Sequence, residues 1–327
     1  MDHANHVGVF ASIPFDAPRP RTTRDLLFDV KTGIDFVAHN IPKAHRVFVR
    51  LNPYPKPWRP LTIETPDGVN LAAWYGGGTP GGPSILFAPG TFQTKDDTPR
   101  KRRAIDLWRR LGASVLIVDL RGFGGSYGAL GSAGYLESRD LHLAADRLRE
   151  ESGSQRVALW GESLGGAISL LAASLPRAEE RFSHVLAWSP FADLREASTV
   201  ANPSTDVGRS ILGRTYRWLL RHRTRNEVRN FEEYLAMCAQ QLGMDVDTLC
   251  MNGSPSCHVR ELRVPATVFH AEDDYVVPVA HAMRLRNAQA PRLTVHIVPR
   301  GSHLAFDREA PDWYAAVTHK LLVESAA

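Results

Sequence analysis

Val157-Ala158-Leu159-Trp160-Gly161-Glu162-Ser163-Leu164-Gly165-Gly166 carries an apolar run into a second apolar run through a turn in which glycines flank a serine. Gly161-x-Ser163-x-Gly165 alone is a weak signal. Its position between a predicted strand at 156–160 and a predicted helix at 164–175 makes it informative, because that context defines a nucleophile elbow. A turn this tight strains the serine backbone and lifts Oγ clear of the strand end. A Cβ at either flanking glycine would collide with the neighbouring strand or helix. The helix N-terminus beside Ser163 also favours negative charge developing there.

Outward from the elbow, the chain alternates strands and helices. Runs at 84–88, 114–119 and 184–188 are continuously apolar or β-branched, and helical spacing fills 100–111 and 137–150. Uninterrupted apolar runs of this length indicate parallel strands covered on both faces, hence a doubly wound sheet. In such sheets the ligand site lies beyond the carboxyl ends of the strands. Ahead of this stretch, 61–64 and 69–74 alternate around Pro66-Asp67-Gly68 and read as a β-hairpin. Pro53-Tyr54-Pro55-Lys56-Pro57-Trp58-Arg59-Pro60 reads as a stiff extended connection through which no strand or helix runs. It closes an N-terminal extension, 1–58. The rhythm breaks between 190 and 262, which reads as helical, and resumes with a strand at 266–270, a helix at 279–288, a strand at 293–298 and a helix at 311–323.

A nucleophilic serine needs a base, and the base needs an orienting acid. On this architecture the chain order is serine, acid, histidine. Glu272, Asp273 and Asp274 follow one late strand, and Gly301-Ser302-His303 follows the last. His303 is the candidate base. The three adjacent acids are not separated by position alone. The candidate oxyanion donors are the backbone N–H of Leu164, directly after the nucleophile, and that of Thr91 in the loop Ala88-Pro89-Gly90-Thr91-Phe92-Gln93. Asp119-Leu120-Arg121-Gly122 reads as a structural loop beneath the elbow.

Taken together, these pieces resemble the α/β-hydrolase fold superfamily over roughly 61–323. The matching segments are Thr65-Pro66-Asp67-Gly68-Val69-Asn70-Leu71, Asp119-Leu120-Arg121-Gly122-Phe123-Gly124-Gly125-Ser126, the elbow, Asp274-Tyr275-Val276-Val277-Pro278 and Gly301-Ser302-His303. Within the superfamily the chain is similar to serine esterases of the YheT-like and related hydrolase-domain groups. The resemblance implies a mostly parallel eight-stranded doubly wound sheet, with a core of 59–190 and 261–327 and a helical cap inserted at 191–260. It favours Asp274 as the acid. It implies a serine hydrolase that cleaves a carboxylic ester, or a related acyl bond, through an acyl-enzyme, without a cofactor or metal. The alternative reading is an acyltransferase, thioesterase or cyclase that passes the acyl group to a non-water acceptor. Ala88-Pro89-Gly90 stands where the family usually has His-Gly.

Composition narrows the setting. The 327 residues are 43% hydrophobic and 23% charged, which excludes disordered, collagenous and coiled-coil classes. No apolar run is long enough to span a bilayer, and the N-terminus lacks the order of a secretory signal. The three cysteines, Cys238, Cys250 and Cys257, suit a reducing, cytoplasmic compartment, and Cys257-His258 has no second pair at metal-ligand spacing. The net charge of +4 rests on 39 basic residues, only six of them Lys. Most are dispersed, and no nucleic-acid motif accompanies them. The densest run lies in the predicted cap. There Ile211, Thr215, Trp218, Leu219 and His222 share one helical face, expected to lie on the pocket. Arg214, Arg217, Arg221 and Arg225 share another, which reads as a solvated face whose stems cover apolar surface or, alternatively, as one that meets an anionic substrate or membrane surface. The expected partner is thus a small acyl substrate rather than nucleic acid.

Overall fold

Strands buried on both sides dispense with polar alternation, and Ser84–Ala88 and Ser114–Val118 bury every side chain. In the computed structural model they are β3 and β4 of an eight-stranded sheet. The structure describes residues 58–96, 109, 112–126, 131–197, 202, 204, 209–224, 227–298, 301, 303–304, 314 and 316–318. The 1–57 part of the N-terminal extension, most of the predicted 100–111 helix and most of the predicted 311–323 helix lie outside the described residues.

The strands are β1 (Arg59–Glu64), β2 (Asn70–Gly76), β3, β4, β5 (Val157–Glu162), β6 (Phe182–Trp188), β7 (Ala266–Ala271) and β8 (Leu293–Val298). Their order in the sheet is β1-β2-β4-β3-β5-β6-β7-β8. β1 and β2 form the expected antiparallel hairpin, with Glu64 opposite Asn70. β2 runs antiparallel to β4, and every later pairing is parallel. One expectation fails here. Pro60 sits inside β1, paired with Trp74, although the proline-rich connection was read as free of strand. An edge strand tolerates proline because its outward N–H has no ladder partner to lose.

Side chains of each strand point alternately to two cores. One contains Leu86, Leu116 and Leu159 against Leu141, Ala145 and Leu148 of helix α1 (Tyr135–Ser152) and Ile168 of α2 (Leu164–Ser174). The other is aromatic. Trp160 lies 4.4 Å from Phe87, and Trp188 stacks on Phe269 at 4.7 Å, with Tyr314 and Val317 covering them. Burial on both faces is what a doubly wound sheet requires.

Between β6 and β7 the described residues form helices and no strand: α3 (Ile211–Arg223), α4 (Phe231–Gln241), α5 (Val246–Asn252) and the short α6 (Pro255–His258). Ser210, Asn230 and Asp245 cap the first three, each accepting a backbone N–H of the first turn. Leu235, Cys238, Ala239 and Leu249 pack with Ala167 of α2 and Val277, so this insertion closes over the elbow end of the sheet. A final helix, α7 (Ala280–Asn287), precedes β8.

α3 departs from expectation. Among its described residues the buried ones are Gly213, Leu219 and Leu220, with Tyr216 edge-on to Phe92 at 5.0 Å. Ile211, Trp218 and His222, expected to lie on the pocket, are exposed. Apolar residues surround much of this helix, so periodicity alone does not select the side that turns inward.

Candidate active site

Three strand ends and one loop converge at the carboxyl edge of the sheet. Ser163 follows β5 directly and takes φ 52° and ψ −117°, a positive φ that a residue bearing a Cβ adopts only under constraint. The glycines around it explain how the turn closes. A Cβ on Gly161 would stand 2.3 Å from the Gly165 carbonyl oxygen, and one on Gly165 would stand 2.1 Å from that of Ala88. The Ser163 N–H donates to the Trp188 carbonyl at 2.8 Å, and the Ser163 carbonyl accepts from Ala167 at 3.0 Å, fastening the elbow to β6 and α2.

His303 follows β8. Its Nε2 lies 3.1 Å from Ser163 Oγ, and its Nδ1 lies 2.8 Å from Asp274 Oδ2. Of the three acids after β7, only Asp274 is buried; Glu272 and Asp273 are exposed. The other oxygen of Asp274 accepts the backbone N–H groups of Val276 and Val277 at 3.0 and 2.9 Å. Burial pushes the Asp274 pKa upward. The adjacent His303, His270 and these hydrogen bonds outweigh burial and hold it below the usual carboxylate range. An ionised Asp274 accepts Nδ1–H, which leaves Nε2 with a lone pair facing the Ser163 hydroxyl.

Thr91 and Leu164 flank the serine. Leu164 opens α2, so its N–H has no acceptor within the helix. In the loop after β3, the Gly90 N–H is taken by Gln93 Oε1 at 2.9 Å, and the Gln93 N–H returns to the Gly90 carbonyl at 3.0 Å. A Cβ on Gly90 would stand 3.2 Å from Ser163 Cβ, so this loop passes directly beside the nucleophile. With the Gly90 donor occupied, Thr91 carries the next N–H in the loop.

Two polar groups near the site escaped the sequence reading. His270, at the end of β7, is fully buried. Its Nε2 lies 2.8 Å from the Val277 carbonyl oxygen and 3.5 Å from Asp274 Oδ2. Burial depresses its pKa, so the ring is neutral and donates Nε2–H. A histidine closing an otherwise apolar buried strand four residues before the acid was the available signal. The second group is Lys95 with Asp96 and Asp119. Lys95 Nζ reaches Asp96 Oδ2 at 2.8 Å and Asp119 Oδ2 at 3.0 Å, and Trp74 Nε1 donates to Asp96 Oδ1 at 2.7 Å. This cluster ties the loop after β3 to the end of β4.

Arg121 performs the structural task assigned to its loop. It holds Asp140 of α1 with two bonds of 2.7 Å and Asp67 of the β1–β2 turn at 2.8 Å. A fork of this kind locks three segments in one geometry. Cys238, Cys250 and Cys257 are free thiols. Among the described residues no group of three or more His, Cys, Asp or Glu is placed to hold a metal ion, and no helix is long and apolar enough to cross a membrane.

Comparison with known proteins agrees with this architecture. Residues 98–310 match the hydrolase family described as serine aminopeptidase, S33. A Mycobacterium tuberculosis protein, Rv2307c, is 35% identical over 159 residues, 47% of this chain and 53% of its own length. The chain thus spans about half the length of the mycobacterial relatives it matches. Escherichia coli YfhR is 24% identical over 80% of this chain and 79% of its own. The rat lysophosphatidylserine lipase ABHD12 is 26% identical over 68% of this chain and 51% of its own. Among solved structures, the Pyrococcus furiosus esterase Pf2001 superposes with a TM-score of 0.60 at 17% identity, covering 83% of this chain and 92% of that one. DcsB, solved with a substrate analogue, gives a TM-score of 0.62 at 15% identity over 82% and 99%.

Proposed function

Because the chain belongs to the serine aminopeptidase S33 family of α/β-hydrolases, we propose that it is a serine hydrolase cleaving a carboxylic ester, with Ser163 as nucleophile, His303 as base and Asp274 as orienting acid. The observation that carries this reading is the unbroken chain from Ser163 Oγ to His303 at 3.1 Å and on to Asp274 at 2.8 Å, built on a strained elbow. The esterase and lipase among its likenesses support the ester reading, while the aminopeptidase that describes its family makes an amide the bond to test beside it.

Ser163 Oγ attacks the ester carbonyl carbon as its proton passes to His303 Nε2. Asp274 stabilises the imidazolium that forms. The N–H groups of Leu164 and Thr91 hold the oxyanion, each worth roughly 3 kcal/mol of barrier if lost. The tetrahedral species collapses, the C–O bond to the leaving alcohol breaks, and His303 returns the proton to that oxygen. Water then repeats the sequence on the acyl-enzyme, releasing the acid and regenerating Ser163. No cofactor or metal takes part. Residues 191–260 act as a cap over the acyl pocket, and the three free thiols support a cytoplasmic setting.

A fluorophosphonate probe tests the nucleophile. Ser163 is expected to be labelled in the wild type, and Ser163→Ala to lose both labelling and turnover of aryl esters. Turnover retained in that variant overturns the assignment. A panel of aryl esters of graded acyl length beside aminoacyl anilides tests the bond class, with hydrolysis of the anilides alone counting against an esterase.

A further inference from the structure

Some arginines on this surface pair with carboxylates: Arg177 bonds Glu180, Arg195 bonds Asp247, Arg147 bonds Glu150 and Glu151, and Arg284 bonds both Asp193 and Glu196. Others, such as Arg156, Arg263 and Arg286, are exposed and meet no carboxylate among the described residues, but they lie apart from one another in the chain. The outer side of α3 instead gathers such arginines along one helix. Arg214 and Arg221 are exposed, and neither meets a carboxylate among the described residues. Arg217 lies between them, its pKa lowered by burial and then by the like charges of Arg221 and Arg214. The helix contains no acidic residue. The neighbouring α4 differs, because it exposes Glu232 and Glu233 in its first turn.

Beside this cationic stripe runs an apolar ridge. Ile211 and Trp218 are 38% and 47% exposed, and Trp218 stacks on the exposed His222 with centroids 5.4 Å apart. Residues 211, 218 and 222 share one line along the helix, and 214, 217 and 221 the line next to it. In water the ridge leaves an indole hydrated, and the stripe sets like charges side by side. A nucleic acid would answer the arginines but not the ridge. The interfacial layer of an anionic bilayer answers both, with the indole and Ile211 at the acyl boundary and guanidinium groups on lipid phosphates.

We propose that the outer face of α3 is a docking surface for an anionic lipid bilayer, with Ile211 and Trp218 entering the headgroup layer and Arg214 and Arg221 against its phosphates. The inner side of the same helix places Tyr216 on Phe92 at 5.0 Å. The docked helix therefore lies directly over the Gly90–Gln93 loop that passes Ser163. This surface does not depend on the esterase reading.

The test is sedimentation of the full chain with vesicles of phosphatidylcholine alone and vesicles containing about one-third phosphatidylglycerol. Binding to the anionic vesicles alone is expected at about 0.1 M salt, with release at about 1 M as the Debye length contracts. At roughly fivefold per arginine, Arg214→Gln with Arg221→Gln weakens binding about 25-fold. Trp218→Ala weakens it several-fold at about 0.1 M salt and by the same factor at about 0.2 M, because its contribution is not screened. Melting curves that match the wild type show that the variants fold. Failure to bind anionic vesicles, equal binding to phosphatidylcholine, wild-type binding by the double arginine variant, or retention on DNA without vesicle binding each overturns the proposal. Fluorophosphonate labelling of Ser163 on the same samples reports the catalytic reading separately.

Discussion

The elbow and helix α3 lie close together and obey different rules. At the elbow, backbone atoms decide which residue stands where, because a Cβ at Gly161 or Gly165 would penetrate a carbonyl oxygen at 2.3 or 2.1 Å. In α3 the backbone accepts any rotation about its axis, and packing of Leu219 and Leu220 into the core decides which side turns in. A local steric rule can be read from a local sequence. A rotational choice between two apolar sides depends on what the rest of the fold offers.

The strongest challenge to that contrast is replacement of the acid. Asp274→Asn should cost on the order of 10⁴ in kcat, because Asn presents the wrong partner to Nδ1–H, whereas exposed Asp273→Asn should leave kcat within about twofold. Equal effects at the two positions would mean that burial does not define the acid. Next in size is Gly165→Ala, expected to destabilise the fold by about 3 kcal/mol or prevent folding, since Ala88 and Pro89 cannot move without shifting β3. A melting temperature equal to the wild type would show that the elbow is looser than its contacts indicate.

A subtler probe is His270. His270→Leu removes the donor to Val277 and leaves a buried carbonyl unpaired, costing about 1–3 kcal/mol of stability. It should also lower kcat about tenfold with KM unchanged, because the Asp274–Val277 turn loses its anchor. His270→Gln, which can restore an N–H, should recover most of that kcat. A variant that lowers only the melting temperature would mark His270 as structural alone.

The smallest effect is on stability against pH. Burial lowers the pKa of His142, His270, His281 and His296 from the usual 6.5. Each contributes stability that is complete above the unfolded value and is lost as pH falls through it, because the unfolded chain then binds more protons. Asp140, raised by burial to about 6, opposes this, since its folded carboxyl keeps a proton that the unfolded chain releases. Burial raises Asp119 in the same sense, so four groups act against two, and the melting temperature should fall between about pH 7.5 and pH 5.5. A rise over that range would show that these imidazoles are not buried neutral.

Much of the sheet and the elbow was legible because parallel strands and tight turns leave repeating marks. Continuous apolar runs marked the strands, and Gly161, Ser163 and Gly165 marked the turn. Three things were not legible, each for a physical reason. Asp273 and Asp274 are chemically alike, and only the turn that buries one and exposes the other separates them. Pro60 looked like a strand breaker because sequence does not say that β1 will be an edge. Lys95 carries no local mark of its burial, because one of its two carboxylate partners, Asp119, lies far along the chain.

Ser163 also has a consequence for descent. Its φ of 52° is a conformation in which glycine would be at ease. Drift at this position toward glycine should relieve strain of about 1–3 kcal/mol, offset in part by the freer unfolded chain. The outcome would be a sturdier protein that still offers the pocket but no longer turns anything over. The strain is the standing cost of holding, at this one point of the backbone, the hydroxyl that the proposed reaction needs.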